Sequence, residues 1–170
     1  MTVVQLFKRA GLVLACLSLA TLSCGGNSGG NSAQYASAKL ILADDIQEIT
    51  CERIFGCEGR CPVYEVVLRK DGTASYEGTR YAERKGKYHA TGANYYFNRL
   101  ATLMTNSRFR DFQNVYGPGG IDEGLVITSV TDSAGRKTVT DHGSHGPIEL
   151  WGIEMAIEGS LSQIDWQRDR

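Results

Sequence analysis

The chain has 170 residues, of which 18 are Lys or Arg and 19 are Asp or Glu, so its formal net charge is −1. This near balance, without a run of basic residues, lacks the positive patch that nucleic-acid binding requires, and we predict no nucleic-acid partner. A chain of this length suits one domain that is large enough to bury a core.

The N-terminus has the pattern of an export signal rather than of a folded element. Lys8 and Arg9 are followed by a mainly apolar run over residues 10–22. A membrane-spanning helix needs about 20 apolar residues, so this run is too short to be an anchor helix. We therefore leave it out of the predicted fold.

The export signal ends in Thr21-Leu22-Ser23-Cys24, which resembles the lipobox of bacterial lipoproteins. The resemblance implies cleavage before Cys24 and a diacylglycerol lipid on its sulfur, so residues 1–23 are predicted to be a lipoprotein signal peptide. Gly25 rather than Asp follows the cysteine, which by the same resemblance favours the outer membrane, with the domain facing the periplasm. Thr21 stands where the motif usually has Leu, which leaves a secreted or periplasmic protein as the alternative.

A tether follows the predicted lipid anchor. Residues 24–37 consist of Cys24 and the polar stretch GGNSGGNSAQYAS, which contains little that could enter a core. Such a composition behaves as a flexible coil with a reach of about 20 Å. The remaining residues, 38–170, are predicted to form a single domain held at a membrane surface through the lipid.

Alternating apolar and polar residues, together with turn residues, predict six strands. The clearest strand follows Pro62, where Tyr64, Val66 and Leu68 share one face, and Asp71-Gly72 supplies a two-residue hairpin turn after it. The predicted strands cover residues 46–55, 63–70, 73–79, 86–90, 125–131 and 136–141.

Apolar stripes at helical spacing predict two helices. The first covers residues 91–105 with Thr91 as its N-cap, and the second begins at Pro147 and ends near Ser160. The predicted buried stripes are Tyr96, Leu100, Leu103 and Met104 in the first helix and Leu150, Ile153, Ile157 and Leu161 in the second. The order ββββαββα predicts an α+β fold, with an antiparallel sheet of about six strands and both helices on one face.

Three cysteines of the predicted domain face an oxidising compartment, where disulfides persist. Cys57 and Cys61 are four residues apart, and along an extended strand their Cα atoms would be about 13 Å apart, beyond the limit of roughly 7 Å for a bridge. A bridge therefore requires the turn that Gly59 permits, and we predict a structural Cys57–Cys61 disulfide. Cys51 is an alternative partner, and a redox or zinc site that uses the cysteines, with His89 as a fourth ligand, stays open.

Other polar side chains give weaker indications of chemistry. His142 and His145 are weak candidates for metal ligands, because they lie in a glycine-rich loop that would hold them loosely. Ser144 lacks the surroundings of a nucleophile elbow, and Asp122-Glu123 fits a polar turn better than a calcium loop. We therefore predict no catalytic residue, no bound metal and no cofactor.

Several tyrosines lie on or next to the predicted strands and in the first helix, namely Tyr64, Tyr76, Tyr88 and Tyr96. The simplest interpretation is that they are core and interface aromatics. An aromatic-lined groove is the alternative.

The order of these features resembles a bacterial family of exported proteins and lipoproteins that is known only as a domain of unknown function. The resemblance covers residues 46–161 and implies no activity, cofactor or catalytic residue. Cys51 and the glycine-rich segment before Asp122 are departures from its pattern. The residues that carry the resemblance are Cys57-x-Gly59-x-Cys61-Pro62-x-Tyr64, Asp71-Gly72, Tyr76-Glu77-Gly78, Phe109, Tyr116 and Pro147.

Two functional hypotheses follow from the sequence. The first is an envelope lipoprotein whose non-catalytic binding or structural domain contacts an envelope protein or a cell-wall component. The alternative is a thiol redox or metal-handling envelope protein that uses Cys51, Cys57 and Cys61.

Overall fold

The structure, a computed structural model, describes residues 42–54, 61–119 and 124–170. These residues all belong to one unit of the chain, Ser37–Arg170. The elements are, in chain order, β1 (Glu48–Ile54), β2 (Tyr64–Arg69), β3 (Ala74–Gly78), β4 (Gly86–Ala90), α1 (Asn94–Asn106), β5 (Val115–Tyr116), β6 (Leu125–Asp132), β7 (Gly135–His142), α2 (Ile148–Leu161) and β8 (Gln167–Arg168), with short 3-10 turns at Ala43–Asp45 and Phe109–Asp111.

The strands form one sheet with the order β5-β7-β6-β1-β2-β3-β4-β8. Its six longer strands are the six predicted ones, and they pair antiparallel. Two strands of two residues each extend the sheet at its edges, and β5 pairs with β7 in parallel. The described chain is therefore α+β with two helices and a mixed sheet of eight strands. The prediction of a purely antiparallel sheet of about six strands was wrong in these two respects, because a two-residue strand leaves no alternation to detect.

Both helices pack on the same face of the sheet. On β1, Ile49 faces this core, and its register partners are Leu68 on β2 and Val130 on β6. The fully buried side chains from both helices join the same hydrophobic cluster as these strand residues. The helical members are Phe97, Leu100, Ala101 and Met104 from α1 and Leu150, Ile153, Ile157 and Leu161 from α2.

The predicted stripe of α2 is confirmed, whereas that of α1 is shifted. Helix α1 begins at Asn94 after the N-cap Ala93, and the Ala93 N–H donates to the Gly72 carbonyl of the first hairpin at 2.9 Å. Thr91 is therefore not the N-cap, because Gly92, with φ +81°, separates it from the helix. Because α1 starts later than predicted and is hydrogen-bonded to the hairpin, a different face of the helix points to the core. Phe97 and Ala101 are buried, whereas Tyr96 and Leu103 are only partly buried.

The turn between β2 and β3 uses the predicted residues in a slightly longer loop. Arg69 N–H donates to the Thr73 carbonyl at 2.9 Å, which leaves three residues in the loop, and Gly72 takes the left-handed conformation with φ +86°. The Asp71 carboxylate accepts hydrogen bonds from the Thr73 N–H and hydroxyl. Within the described ranges, neither helix is long and apolar enough to span a bilayer.

Candidate functional site

The connection between β3 and β4 folds back over the sheet beside Gly78, the last residue of β3. A Cβ atom on Gly78 would lie 1.9 Å from the Arg84 carbonyl oxygen and 2.9 Å from Ala82 Cβ. Because glycine has no side chain, residues 79–85 can pass directly over the end of the strand. This close approach makes the connection one wall of a cavity.

The cavity has a volume of about 230 Å³ and lies between this connection and the C-terminal half of α2. We call it the tyrosine pocket. Glu83 and Arg84 of the connection contribute to its lining. The other lining residues are Pro62, Tyr64, Tyr76, Tyr81, Glu158 and Leu161.

Two of the pocket's tyrosine rings are fixed and the third is exposed. The Tyr64 and Tyr76 rings stack with their centroids 5.5 Å apart, and Tyr76 also packs against the Trp166 ring at 5.6 Å. The Trp166 indole N–H in turn donates to the Leu161 carbonyl at 2.9 Å. Tyr81 is 49% exposed and has φ +55°, a conformation that is uncommon for residues other than glycine. The Arg80 guanidinium lies over this ring, 5.6 Å from its centroid, and the rest of the ring is open to solvent and to the pocket.

An ion pair lies beside the tyrosine pocket. Arg53 Nη2 donates to Glu158 Oε2 at 3.0 Å, and the sheet register places Arg53 opposite Tyr64. The Tyr64 hydroxyl and Arg53 Nε are both buried, and the Tyr64 hydroxyl lies beside the Arg53 guanidinium, with which it interacts. Burial raises the pKa of Tyr64, so its phenol keeps a proton that it can donate.

Further buried polar atoms lie between α2 and the sheet. Glu154, one turn before Glu158, is 3% exposed, and burial followed by the charge of Asp141 raises its pKa to about 7 against the opposing effect of Arg53. In the described part of the chain, Glu154 Oε1 lacks a hydrogen-bond partner, whereas the buried Thr128 side chain interacts with the Cys51 thiol. We call Arg53, Tyr64, Thr128 and Glu154 the buried polar cluster.

Cys51 lies next to the buried polar cluster and is a free thiol. It is 1% exposed in the middle of β1, opposite Val66 on β2 and Thr128 on β6. Burial raises the pKa of the Cys51 thiol to about 12. Because the thiolate is the nucleophile and the metal ligand, this environment disfavours both chemistries at Cys51.

We expect Cys51 to resist alkylation in the folded protein. At pH 8, iodoacetamide should modify it at least about 100-fold more slowly than in concentrated guanidinium chloride, because a buried thiol with this pKa is almost entirely protonated. Mass spectrometry of the peptide that contains Cys51, sampled over time, measures both rates. Equal rates in the two conditions would contradict the burial of this thiol.

The other cysteines of the predicted sites are only partly described. Cys61 precedes β2 in the described part of the chain, whereas Cys57 and Cys24 lie outside the described residues. The Cys57–Cys61 bridge and lipidation of Cys24 therefore stay predictions. Asp122-Glu123 also lies outside the described residues.

The two histidines of the predicted metal pair are neighbours at the end of β7. His145 Nδ1 lies 2.6 Å from the His142 carbonyl oxygen, and the buried Asp141 carboxylate accepts from the His145 N–H at 2.9 Å. In residues 42–54, 61–119 and 124–170, no group of three or more His, Cys, Asp or Glu side chains could hold a metal ion. The third histidine, His89, lies near the opposite sheet edge, 2.5 Å from the Asp169 carboxylate.

Sequence reasoning found only part of the tyrosine pocket. It singled out Tyr64 and Tyr76, which the fold brings together, but also Tyr96, which instead packs against Tyr95. It missed Arg53, Tyr81, Glu83, Arg84 and the glutamates of α2. One signal was available, because Glu154 is a charged residue next to Ile153 and three residues before Ile157, within the apolar stripe of α2.

The comparisons with known proteins identify a family. A family described as a domain of unknown function (DUF6438) matches residues 48–161, a range that includes nearly all of the sheet and both helices. No curated protein matches the chain.

Proposed function

The chain belongs to the DUF6438 family of domains of unknown function, and we propose that it is the non-catalytic binding domain of a bacterial envelope lipoprotein. Lipid on Cys24 attaches it to a membrane, and residues 25–37 have the Gly-, Ser- and Asn-rich composition of a tether with a reach of about 20 Å. The ligand, a component of the envelope, enters the tyrosine pocket.

One observation supports a binding role above the others. The tyrosine pocket brings the exposed ring of Tyr81 together with the carboxylates of Glu83 and Glu158. Convergence of an aromatic side chain and several polar groups on one concave surface is a usual feature of ligand sites.

The environment of Cys51 argues against the alternative of a redox or metal-handling protein. Its thiol is buried, and its pKa is raised to about 12, which removes it from the set of three cysteines that this hypothesis uses. A thiol redox or metal site would therefore have to use Cys57 and Cys61 without Cys51. The tyrosine pocket has no role in it.

A rebinding experiment tests the proposal. The variant Cys24→Ala should lose its partitioning into the detergent phase of a Triton X-114 extract, because it cannot be lipidated, and the purified variant should sediment with added envelope fragments. Adding Tyr81→Asn should lower this rebinding about five- to tenfold, since it removes the exposed ring of the pocket. Asparagine tolerates the positive φ of this position, so the fold should be kept.

Tyr95→Asn is the matched control, because Tyr95 is 60% exposed and lies on α1, outside the lining of the tyrosine pocket. It should leave rebinding unchanged. Partitioning of Cys24→Ala into the detergent phase would contradict the lipid anchor. Equal rebinding of the two tyrosine variants would contradict the role of the pocket.

A further inference from the structure

We propose that Glu154 is a proton-controlled switch for the Arg53–Glu158 ion pair beside the tyrosine pocket. While Glu154 is protonated, Arg53 stays bonded to Glu158. When Glu154 loses its proton, the Arg53 guanidinium turns towards Glu154 and leaves the Glu158 carboxylate free to contact a ligand in the pocket. The switch is a property of the fold, and its effect on ligand binding rests on the proposed function.

Two glutamates of α2 compete for the Arg53 guanidinium. Glu154 and Glu158 are four residues apart, so their side chains leave the helix on the same face, one turn apart. Arg53 Nη2 lies 3.0 Å from Glu158 Oε2, and the charge of the same guanidinium also acts on Glu154. Arg53 is therefore bonded to the glutamate that lies nearer the surface while it remains within electrostatic reach of the buried one.

The surroundings of Glu154 favour its protonated form. Glu154 is 3% exposed, and its Oε1 atom has no hydrogen-bond partner within the described ranges. Asp141 Oδ1 accepts from the His145 N–H at 2.9 Å and from the Gly146 N–H at 3.1 Å, as an ionised carboxylate does. A second buried negative charge near Asp141 is unfavourable. Burial, and then the charge of Asp141, accordingly raise the pKa of Glu154 to about 7.

The other titratable groups around Glu154 keep their protons near neutral pH. Cys51 on β1 also faces Glu154, and burial raises the pKa of its thiol to about 12. Tyr64 on β2 lies beside Arg53, and burial raises its pKa as well. Among the described residues whose charges act on Glu154, Asp141 is the anion and Arg53 is the cation. A negative charge that forms on Glu154 therefore attracts Arg53.

Ionisation of Glu154 changes which carboxylate binds Arg53 more strongly. Opposite charges attract each other more in the protein interior than near the surface, where water screens them. Glu154 is buried, whereas the Glu158 side chain is 42% exposed. Arg53 does not cancel the cost of burying this charge, since the pKa of Glu154 is raised in its presence, but it lowers that cost. Glu158, which lines the tyrosine pocket, then loses its partner.

A pH titration by NMR tests the switch. The full chain is labelled with ¹³C and ¹⁵N, so that its glutamate carboxyls, arginine side chains and tyrosine rings are all observed, and it is titrated between about pH 5.5 and pH 8.5. The Glu154 carboxyl should titrate with a midpoint of about 7. With the same midpoint, the nuclear Overhauser effects between the Arg53 and Glu158 side chains should weaken, and those between Arg53 and Glu154 should strengthen.

Two variants show whether Glu154 controls the ion pair. Glu154→Gln keeps the shape of the side chain but cannot ionise, so the effects between Arg53 and Glu158 should stay constant over the whole range. Glu149→Gln is the matched control, because Glu149 is exposed in the first turn of the same helix. It should leave the transition in place.

Ethylguanidinium, whose charge is constant over this pH range, reports the carboxylate that is released. Its effect on the ring signal of Tyr81 should be at least about twofold larger at pH 8.5 than at pH 5.5, and Glu154→Gln should remove this difference. Equal effects of the probe at the two pH values in the wild type would contradict the release of Glu158 to the pocket.

The switch and the proposed function can fail separately. Constant effects between Arg53 and Glu158 while Glu154 titrates, or a transition that persists in Glu154→Gln, would overturn the switch, even if rebinding to envelope fragments depends on Tyr81. If the transition is present in the wild type and absent in Glu154→Gln, the switch is supported. Rebinding that does not depend on Tyr81 would then remove the proposed function and leave the switch in place.

Discussion

Glu154→Gln should make the protein more stable at pH 8 by about 1 to 3 kcal/mol and leave its stability nearly unchanged at pH 4.5. Burial, and then the charge of Asp141, raise the pKa of Glu154 from 4.5 to about 7. In the wild type the folded state therefore binds this proton more tightly than the unfolded state. The difference between a pKa of 4.5 and a pKa of about 7 corresponds to roughly 3 kcal/mol in the free energy of unfolding.

The sign of the pH dependence follows from the raised pKa. Between about pH 4.5 and pH 7 the unfolded chain has lost the proton of Glu154 while the folded chain still holds it. Because of Glu154, the free energy of unfolding therefore falls as the pH rises through that range. Glu154 causes no further decrease above it. Glutamine does not titrate, so the slope of stability against pH should be smaller in the variant.

Urea unfolding at pH 4.5, 6 and 8 measures the effect of Glu154→Gln. Glu149→Gln is the matched control, because Glu149 is exposed in the first turn of the same helix. This control should change stability by less than about 1 kcal/mol at each pH. Lower stability of Glu154→Gln than of the wild type at pH 8 would mean that Glu154 is ionised there and is stabilised by Arg53.

Gly78→Ala should destabilise the fold by about 3 kcal/mol and disrupt the tyrosine pocket. Its Cβ atom would lie 1.9 Å from the Arg84 carbonyl oxygen, so the backbone of residues 79–85 must move. Overpacking of this kind usually costs about 1 to 3 kcal/mol, and here the neighbour is backbone rather than a flexible side chain. Urea unfolding gives the stability, and the ¹³C signals of Tyr76 and Tyr81 report the displacement of the connection.

Gly152→Ala is the matched control, because the same substitution at this position should have the opposite effect on stability. Gly152 lies inside α2, and a Cβ atom there would meet no described atom within 4 Å. Alanine favours a helix over glycine by about 1 kcal/mol, so this variant should be stabilised and its tyrosine signals unchanged. Equal stability of Gly78→Ala and the wild type would show that the connection does not depend on the close approach.

The alternation of apolar and polar residues was sufficient to predict six strands. It failed for β5 and β8, because pairs of only two residues are formed by tertiary contacts and leave no local pattern. The stripe of α1 was misplaced because the hydrogen bond from Ala93 to Gly72 sets where this helix begins. That contact joins two elements about 20 residues apart, and local propensity does not encode it.

The tyrosine pocket was harder to predict than the fold. Tyr64 and Tyr76 could be found because they lie at strand positions with a buried face, but Tyr81 lies in an irregular connection. Gly78 belonged to the motif that indicated the family, yet its steric role depends on how residues 79–85 fold back. Arg53 and Glu158 are about 100 residues apart, and their pairing arises only when α2 packs on the sheet.

The central claim, that the tyrosine pocket binds an envelope component, can be tested by titrating the ¹³C-tyrosine protein with a soluble digest of the cell envelope. The prediction is that the signals of Tyr64, Tyr76 and Tyr81 shift while that of Tyr95 stays in place, and that Tyr81→Asn removes the shifts. An unchanged spectrum, or shifts that are confined to tyrosines outside the pocket, would contradict it.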